Sequence, residues 1–133
     1  MRIALDTNVI VSALATRGLC ADLFQAVLAE HELVVGETVL AELRSVLHRT
    51  LRLPDATIDA LDAFLRRQAV IVVADATRSP DSATGADAAV LAEAVGGSAE
   101  VLVTGDQGLL NMPVTQVRVV SPRQLWDVIR RAR

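Results

Sequence analysis

Among the acids of this chain, Asp6, Glu42, Asp87 and Asp106 stand where chemistry, more than solubility, would put them. Asp6 closes the apolar opening MRIAL, and Asp106 closes VLVTG. An acid at the end of a buried strand is costly unless something answers its charge. Glu42 lies between Val39 and Val46, on or beside the apolar stripe of a helix, and Asp87 precedes Val90 and Leu91 at helical spacing. Asp and Glu are rarely buried unless paired.

Each acid also has an ordinary reading. Asp6 could cap a helix starting at Thr7, Asp87 could favour a helix N-terminus, Asp106 could be a turn residue, and Glu42 could pair with an arginine one turn away. Taken together, the strand-end acids and the inward helix acids leave a pattern those readings do not cover. Carboxylates crowded together raise one another's pKa values, and a divalent cation removes that penalty. Oxygen donors select Mg²⁺ or Mn²⁺ over zinc.

Other reactive groups are sparse. Cys20 is the sole cysteine and sits among apolar residues, so it reads as a buried thiol with no internal disulfide. His31 and His48 lack zinc-motif spacing, and no Ser–His or Cys–His pair competes for a nucleophile. All 13 basic residues are arginine. The absence of lysine argues against a phosphoacceptor receiver domain, whose chemistry needs a lysine beside its acids. Asn8, standing two residues after Asp6, argues against a haloacid-dehalogenase-like phosphatase. No glycine-rich nucleotide motif occurs.

The elements that must carry these acids follow from periodicity. Residues 1–5 read as a strand, TNVIVSALA and ADLFQAVLAE as helices, and ELVVGE as a strand ended by Gly36. TVLAELRSVLHRTL is a helix with Val39, Leu40, Leu43, Val46 and Leu47 in one stripe. TIDALDAFLRRQ is another helix, and AVIVVA reads as a strand covered on both faces. DATRSPDSATGAD is a loop leading into the helix AAVLAEAVGG, which stops at Gly96 and Gly97. EVLVTGD is a buried strand whose turn Gly105 keeps open, and TQVRVV is the last strand. In SPRQLWDVIRR, Ser121, Pro122 and Gln124 form a capping box with proline at the first helical position. Strands and helices alternate, so the fold class is α/β with a mainly parallel sheet of four to five strands. In such a sheet a site forms outside the carboxyl ends of the strands, where Asp6 and Asp106 fall.

The length of 133 residues suits one domain, and 52% hydrophobic residues argue against disorder. With aromatics at 2%, the core must be aliphatic. No apolar run approaches the ~20 residues of a membrane span and no signal-peptide pattern opens the chain, so a soluble cytoplasmic protein without a membrane is expected. A net charge of −3 argues against tight non-specific phosphate binding. Acids gathered in one site can still hide a basic rim, for which Arg44, Arg49, Arg52, Arg66, Arg67 and Arg78 are candidates; their ordinary reading is a solvated helix surface.

LDTNVIVSAL, LVVGETVLAELRSVL, DAAVLAEA, VLVTGDQGLL and VVSPRQL, in that order over nearly the whole chain, resemble the PIN-domain family, with closest likeness to the toxin components of bacterial toxin–antitoxin pairs related to VapC. The resemblance implies a three-layer α/β/α PIN-like nuclease domain over residues 1–133. It implies a metal-dependent endoribonuclease using Mg²⁺ or Mn²⁺, a cognate antitoxin as partner, RNA as substrate and a homodimer. Family positions fall on Asp6, Glu42, Asp87 and Asp106 as catalytic and metal-holding residues, with Asn8 and Thr104 supporting the site. One departure is SPDSATGAD, which separates Asp81 from Asp87 where the family often packs several acids together. Asp87 keeps its spacing to Val90, Leu91 and Ala92 and takes the role, and Asp81 reads as a loop acid. The altered loop keeps open a catalytically weak or inactive PIN-like scaffold that binds a protein or RNA. Apolar faces on ADLFQAVLAE and TIDALDAFLRRQ are candidate walls for an antitoxin segment, although ordinary core packing explains them as well.

Overall fold

The structure is a computed structural model and describes residues 1–73, 85–114 and 116–131. Its strands are β1 (Arg2–Leu5), β2 (Glu32–Gly36), β3 (Ala69–Val72), β4 (Val101–Val103) and β5 (Arg118–Val120). The helices are α1 (Thr7–Ala15), α2 (Leu19–Glu30), α3 (Glu37–Arg49), α4 (Asp55–Gln68), α5 (Gly85–Gly96), α6 (Gln107–Leu110) and α7 (Pro122–Arg131). The strands form one sheet in the order β3-β2-β1-β4-β5, and every pairing is parallel. The α/β class and parallel sheet expected from the alternation are therefore observed.

The sheet is held by apolar runs that have no polar face. Ile3, Ala4 and Leu5 on β1, Leu33, Val34 and Val35 on β2, and Val101, Leu102 and Val103 on β4 are all buried. Strands covered on both faces need such runs. The helices close over them with Leu23, Phe24 and Val27 of α2, Leu40, Leu43 and Leu47 of α3, and Leu125 and Ile129 of α7. The Ser121–Gln124 capping box is present, with the Ser121 amide donating to Gln124 Oε1 at 2.8 Å and the Gln124 amide to Ser121 Oγ at 3.2 Å.

Three expectations differ from the structure. The run AVIVVA is not covered on both faces. β3 is an edge strand paired to β2, with Val70 39% and the following Val73 74% exposed, because among the described residues no further strand pairs with its outer side. α5 starts at Gly85, earlier than its apolar period suggests, so Asp87 belongs to its first turn. Gly105 is not required by a close approach: an added Cβ would meet Asn8 at an ordinary 3.7 Å. Most of the loop 79–86, with Asp81 and Arg78, lies outside the described residues.

Strand order sets where a site can lie. From β1 the chain proceeds to β2 and β3 on one side, and returns to β4 and β5 on the other. The crevice at the carboxyl ends of β1 and β4 is thus the point where the order reverses. Asp6 follows β1 and Asp106 follows β4, three residues beyond Val103.

Candidate active site

Asp6 is the N-cap of α1 and is only 7% exposed. Its carboxylate is answered on both oxygens: the Thr7 amide donates to Oδ1 at 2.8 Å, and the Thr104 hydroxyl donates to Oδ2 at 2.7 Å. The capping reading of Asp6 therefore holds, and it holds inside a larger network. A buried polar group needs such partners, and Asp6 has one on each oxygen.

Thr104 is fully buried and links two acids. While its hydroxyl donates to Asp6, the same oxygen accepts the Asp106 amide at 3.0 Å. Asp106 in turn caps α6, its Oδ1 accepting the Gly108 amide at 2.8 Å. Asn8 ties the two strand ends together from the other side, its Oδ1 accepting the Gly105 amide at 3.2 Å. The glycine thus contributes a donor, where the sequence suggested an open turn.

Glu42 comes from the middle of α3. It is bonded to Thr7, whose hydroxyl donates to Oε2 at 3.0 Å, and not to an arginine. Arg44, the nearest cation in sequence, goes to Asp59 at 2.9 Å. Thr7 therefore bridges Asp6 through its amide and Glu42 through its hydroxyl. Asp6, Thr7, Asn8, Glu42 and Asp106 line one open cavity of about 580 Å³. Its outer wall is formed by Val11, Ser12, Ala15 and Thr16 of α1 and by Val46 of α3. Val46 was expected in the core stripe; it is only half-buried and faces this cavity.

Asp87 does not line that cavity but belongs to the same electrostatic group. Its carboxyl is pushed above the ordinary aspartate range, first by burial and then by the charges of Asp106 and Asp6. Carboxylates at one sheet edge with an acid raised by its neighbours are a typical setting for proton transfer or cation binding. The donor set of Asp6, Glu42, Asp87 and Asp106 is all oxygen, which fits a hard divalent cation. As they stand, no group of three Asp, Glu, His or Cys side chains among the described residues is close enough to hold one ion. Mg²⁺ retains several waters and needs only one or two carboxylates directly.

Two participants escaped the sequence reading. Thr7 gave no signal of its own, because a threonine after a capping acid reads as an ordinary helix start. Glu93, only 2% exposed, was marked by its setting in VLAEAV, a lone acid amid apolar neighbours. Cys20 is half-buried against the core and His48 lies 3.7 Å from Asp55, both away from the cavity. The apolar residues of α2 and α4 are used mainly inside: Leu23, Phe24, Val27, Ile58 and Leu65 are buried. No single helix among the described residues is long and apolar enough to cross a membrane.

Comparison with known proteins agrees with this architecture. A family model described as PIN domain matches residues 2–108. A chain of VapBC2 from Rickettsia felis, solved bound to a DNA fragment from the promoter, superposes with a TM-score of 0.67 at 18% identity, covering 91% of this chain and 98% of that one. A chain of VapBC-1 from nontypeable Haemophilus influenzae gives a TM-score of 0.67 at 16% identity, covering 92% and 99%. Among curated protein sequences, none matches.

Proposed function

The chain belongs to the PIN-domain family, a family of nucleases, and from that premise we propose that it is a divalent-metal-dependent endoribonuclease, the toxin of a toxin–antitoxin pair. The observation that carries the reading is Asp6: a buried carboxylate, held by two donors, at the mouth of a cavity that it shares with Glu42 and Asp106.

Phosphodiester hydrolysis needs a nucleophilic water at neutral pH and a way to take up charge on the phosphate. A bound Mg²⁺ or Mn²⁺ supplies both, by acidifying water and acting as a Lewis acid. Asp6 and Asp106 are the principal holders in this reading, with Glu42 and Asp87 completing the set. The chain's own groups do the rest. Thr7 and Thr104 fix both oxygens of Asp6, so little reorganisation is needed when the substrate arrives. Thr104 couples Asp6 to the Asp106 backbone, and Asn8 holds the Gly105 turn against α1. Asp87, within electrostatic reach of Asp6 and Asp106, is the carboxylate that receives the proton of the attacking water in this reading. Val11, Ala15 and Val46 give the cavity an apolar side against which a base can rest, and Ser12 and Thr16 offer hydroxyls beside it.

The likeness to chains of VapBC structures supports an antitoxin as the cognate partner; a homodimer is the working form this reading expects. A small upstream reading frame with a DNA-binding motif, overlapping this gene, is the expected genomic setting.

One observation favours a second reading, an inactive PIN-like scaffold that binds RNA or protein. The acids are gathered at one edge without three of them converging on a point. Incubation with single-stranded RNA and Mn²⁺ separates the two. Cleavage that disappears in Asp6→Asn supports the nuclease; RNA binding with no cleavage supports the scaffold.

A further inference from the structure

Beyond Asp6, the other carboxylate buried among the described residues is that of Glu93 on α5. It serves α3. Its Oε2 and Oε1 stand 2.9 and 3.2 Å from the amide nitrogen of Thr38, in the first turn of that helix. α3 has no cap of its own, because β2 runs straight into it and the N-cap is Gly36, which has no side chain to offer. The first amides of a helix need acceptors from somewhere, and a negative group there also meets the helix dipole favourably. Gly36 makes the arrangement possible, since a Cβ at that position would overlap the Glu93 carboxylate.

Thr38 lies one helical turn before Glu42. Glu42 receives the Thr7 hydroxyl, and Thr7 gives its amide to Asp6. A continuous line of contacts thus runs from Glu93 through the first turn of α3 to Glu42 and on to Asp6. Glu93 also shares α5 with Asp87, six residues earlier. A carboxylate is an expensive cap at a buried site, and Glu37 and Glu42 nearby make its charge costlier still. An uncharged acceptor on a local residue would cap α3 more cheaply, but it would not tie α3 to α5.

We propose that Glu93 is a positioning residue: by capping α3 from α5 it sets Glu42 beside Asp6 and fixes its separation from Asp87. The inference rests on the metal-dependent nuclease reading, and its test has arms that do not need catalysis. Glu93→Leu and Glu93→Gln are compared with the wild-type chain for hydrogen exchange at the Thr38 amide, for Mn²⁺ affinity by electron paramagnetic resonance, and for kcat and KM on single-stranded RNA. Glu93→Leu should lose Thr38 protection and lower Mn²⁺ affinity and kcat by about 10-fold, as loss of a residue that orients a ligand does, with KM unchanged. Glu93→Gln keeps an oxygen acceptor for Thr38 and should restore most of each. In a Glu42→Gln background, Glu93→Leu should have no further effect on Mn²⁺ affinity. Loss of Thr38 protection with Mn²⁺ affinity and kcat intact would overturn the proposal, as would an undiminished effect without Glu42. If Glu93→Leu does not fold, Gly36→Ala, which displaces the carboxylate while keeping its charge, carries the same comparison. A wild-type chain that binds Mn²⁺ but leaves RNA whole defeats the nuclease alone, and the Mn²⁺ arm then decides on Glu93. A wild-type chain that binds no Mn²⁺ defeats both.

Discussion

The hydroxyl of Thr104 donates to the Asp6 carboxylate at 2.7 Å from a fully buried position, while its oxygen accepts the Asp106 amide. One side chain thereby joins the acids that end β1 and β4. Thr104→Val keeps the shape and removes the hydroxyl, leaving Asp6 one donor short and the Asp106 amide without its acceptor. The expected cost is about 1–3 kcal/mol in urea unfolding, with RNA cleavage down by about 10–100-fold. Thr104→Ser should retain most of both.

Asp87 has its carboxyl raised by burial and by the charges of Asp106 and Asp6. Without a cation this crowding opposes folding, so Asp87→Asn should raise the melting temperature measured in chelator. The same variant should shrink the stabilisation that added Mn²⁺ gives, since binding to the folded state alone is what produces it. A lower melting temperature in chelator would show that the Asp87 carboxylate is not under strain from its neighbours.

The sequence made the edge of the sheet readable and left the connections across it dark. Asp6 and Asp106 were visible because a polar residue ending an apolar run marks the carboxyl end of a strand, and parallel strands bring those ends together. Glu42 and Asp87 were visible through helical spacing against apolar neighbours. The Thr7 bridge was not, because a threonine after a capping acid looks like an ordinary helix start; only the approach of α3 gives its hydroxyl a partner. The Glu93–Thr38 bond joins residues 55 apart, and nothing local in α3 announces that its cap is missing. β3 misled because a run of valine and isoleucine reads alike at a sheet's centre and at its edge; what differs is the neighbour beyond it, which the run itself does not encode.

Burial pushes the Glu93 carboxyl up, and the Thr38 bonds only partly oppose this while Glu37 and Glu42 add to it. A carboxyl raised in the folded chain binds its proton more tightly there than in the unfolded one. Its stabilising contribution is full below the ordinary glutamate value of 4.5 and is lost as pH climbs through the raised folded value. Glu93→Gln cannot titrate. The stability of the wild type relative to Glu93→Gln, from urea midpoints in chelator, should therefore decline as pH rises above 4.5. A difference that grows with pH would contradict the burial assigned to Glu93.

Gly36 has φ −84° and needs no glycine for its backbone. What it provides is room, because an added Cβ would overlap Glu93. Gly36→Ala should destabilise by about 1–3 kcal/mol through overpacking. Glu93→Ala should relieve that penalty in the double variant. A double-mutant cycle by urea unfolding should then show strong coupling, whereas independent sites would simply add.

The arginines divide by what already holds them. Arg66 donates to Glu37 at 2.8 and 3.0 Å and to Asp62 at 2.8 Å, and these carboxylates push its guanidinium further toward the charged form. Arg44 is taken by Asp59. Arg49 and Arg52 have no ion pair among the described residues and line the open cleft between the end of α3 and the start of α4. Cations already paired within the protein have less to offer a phosphate, so Arg44→Ala and Arg66→Ala should change RNA affinity little. Arg49→Ala and Arg52→Ala should weaken it, each lowering the slope of log affinity against log salt by about 0.7 if it contacts one phosphate of a single strand. Fluorescence-anisotropy titrations of the Asp6→Asn protein, which holds RNA without cutting it in this reading, at several salt concentrations provide the measurement. Equal slopes for all these variants would mean that RNA approaches from another side, and that Arg49 and Arg52 are ordinary solvated surface.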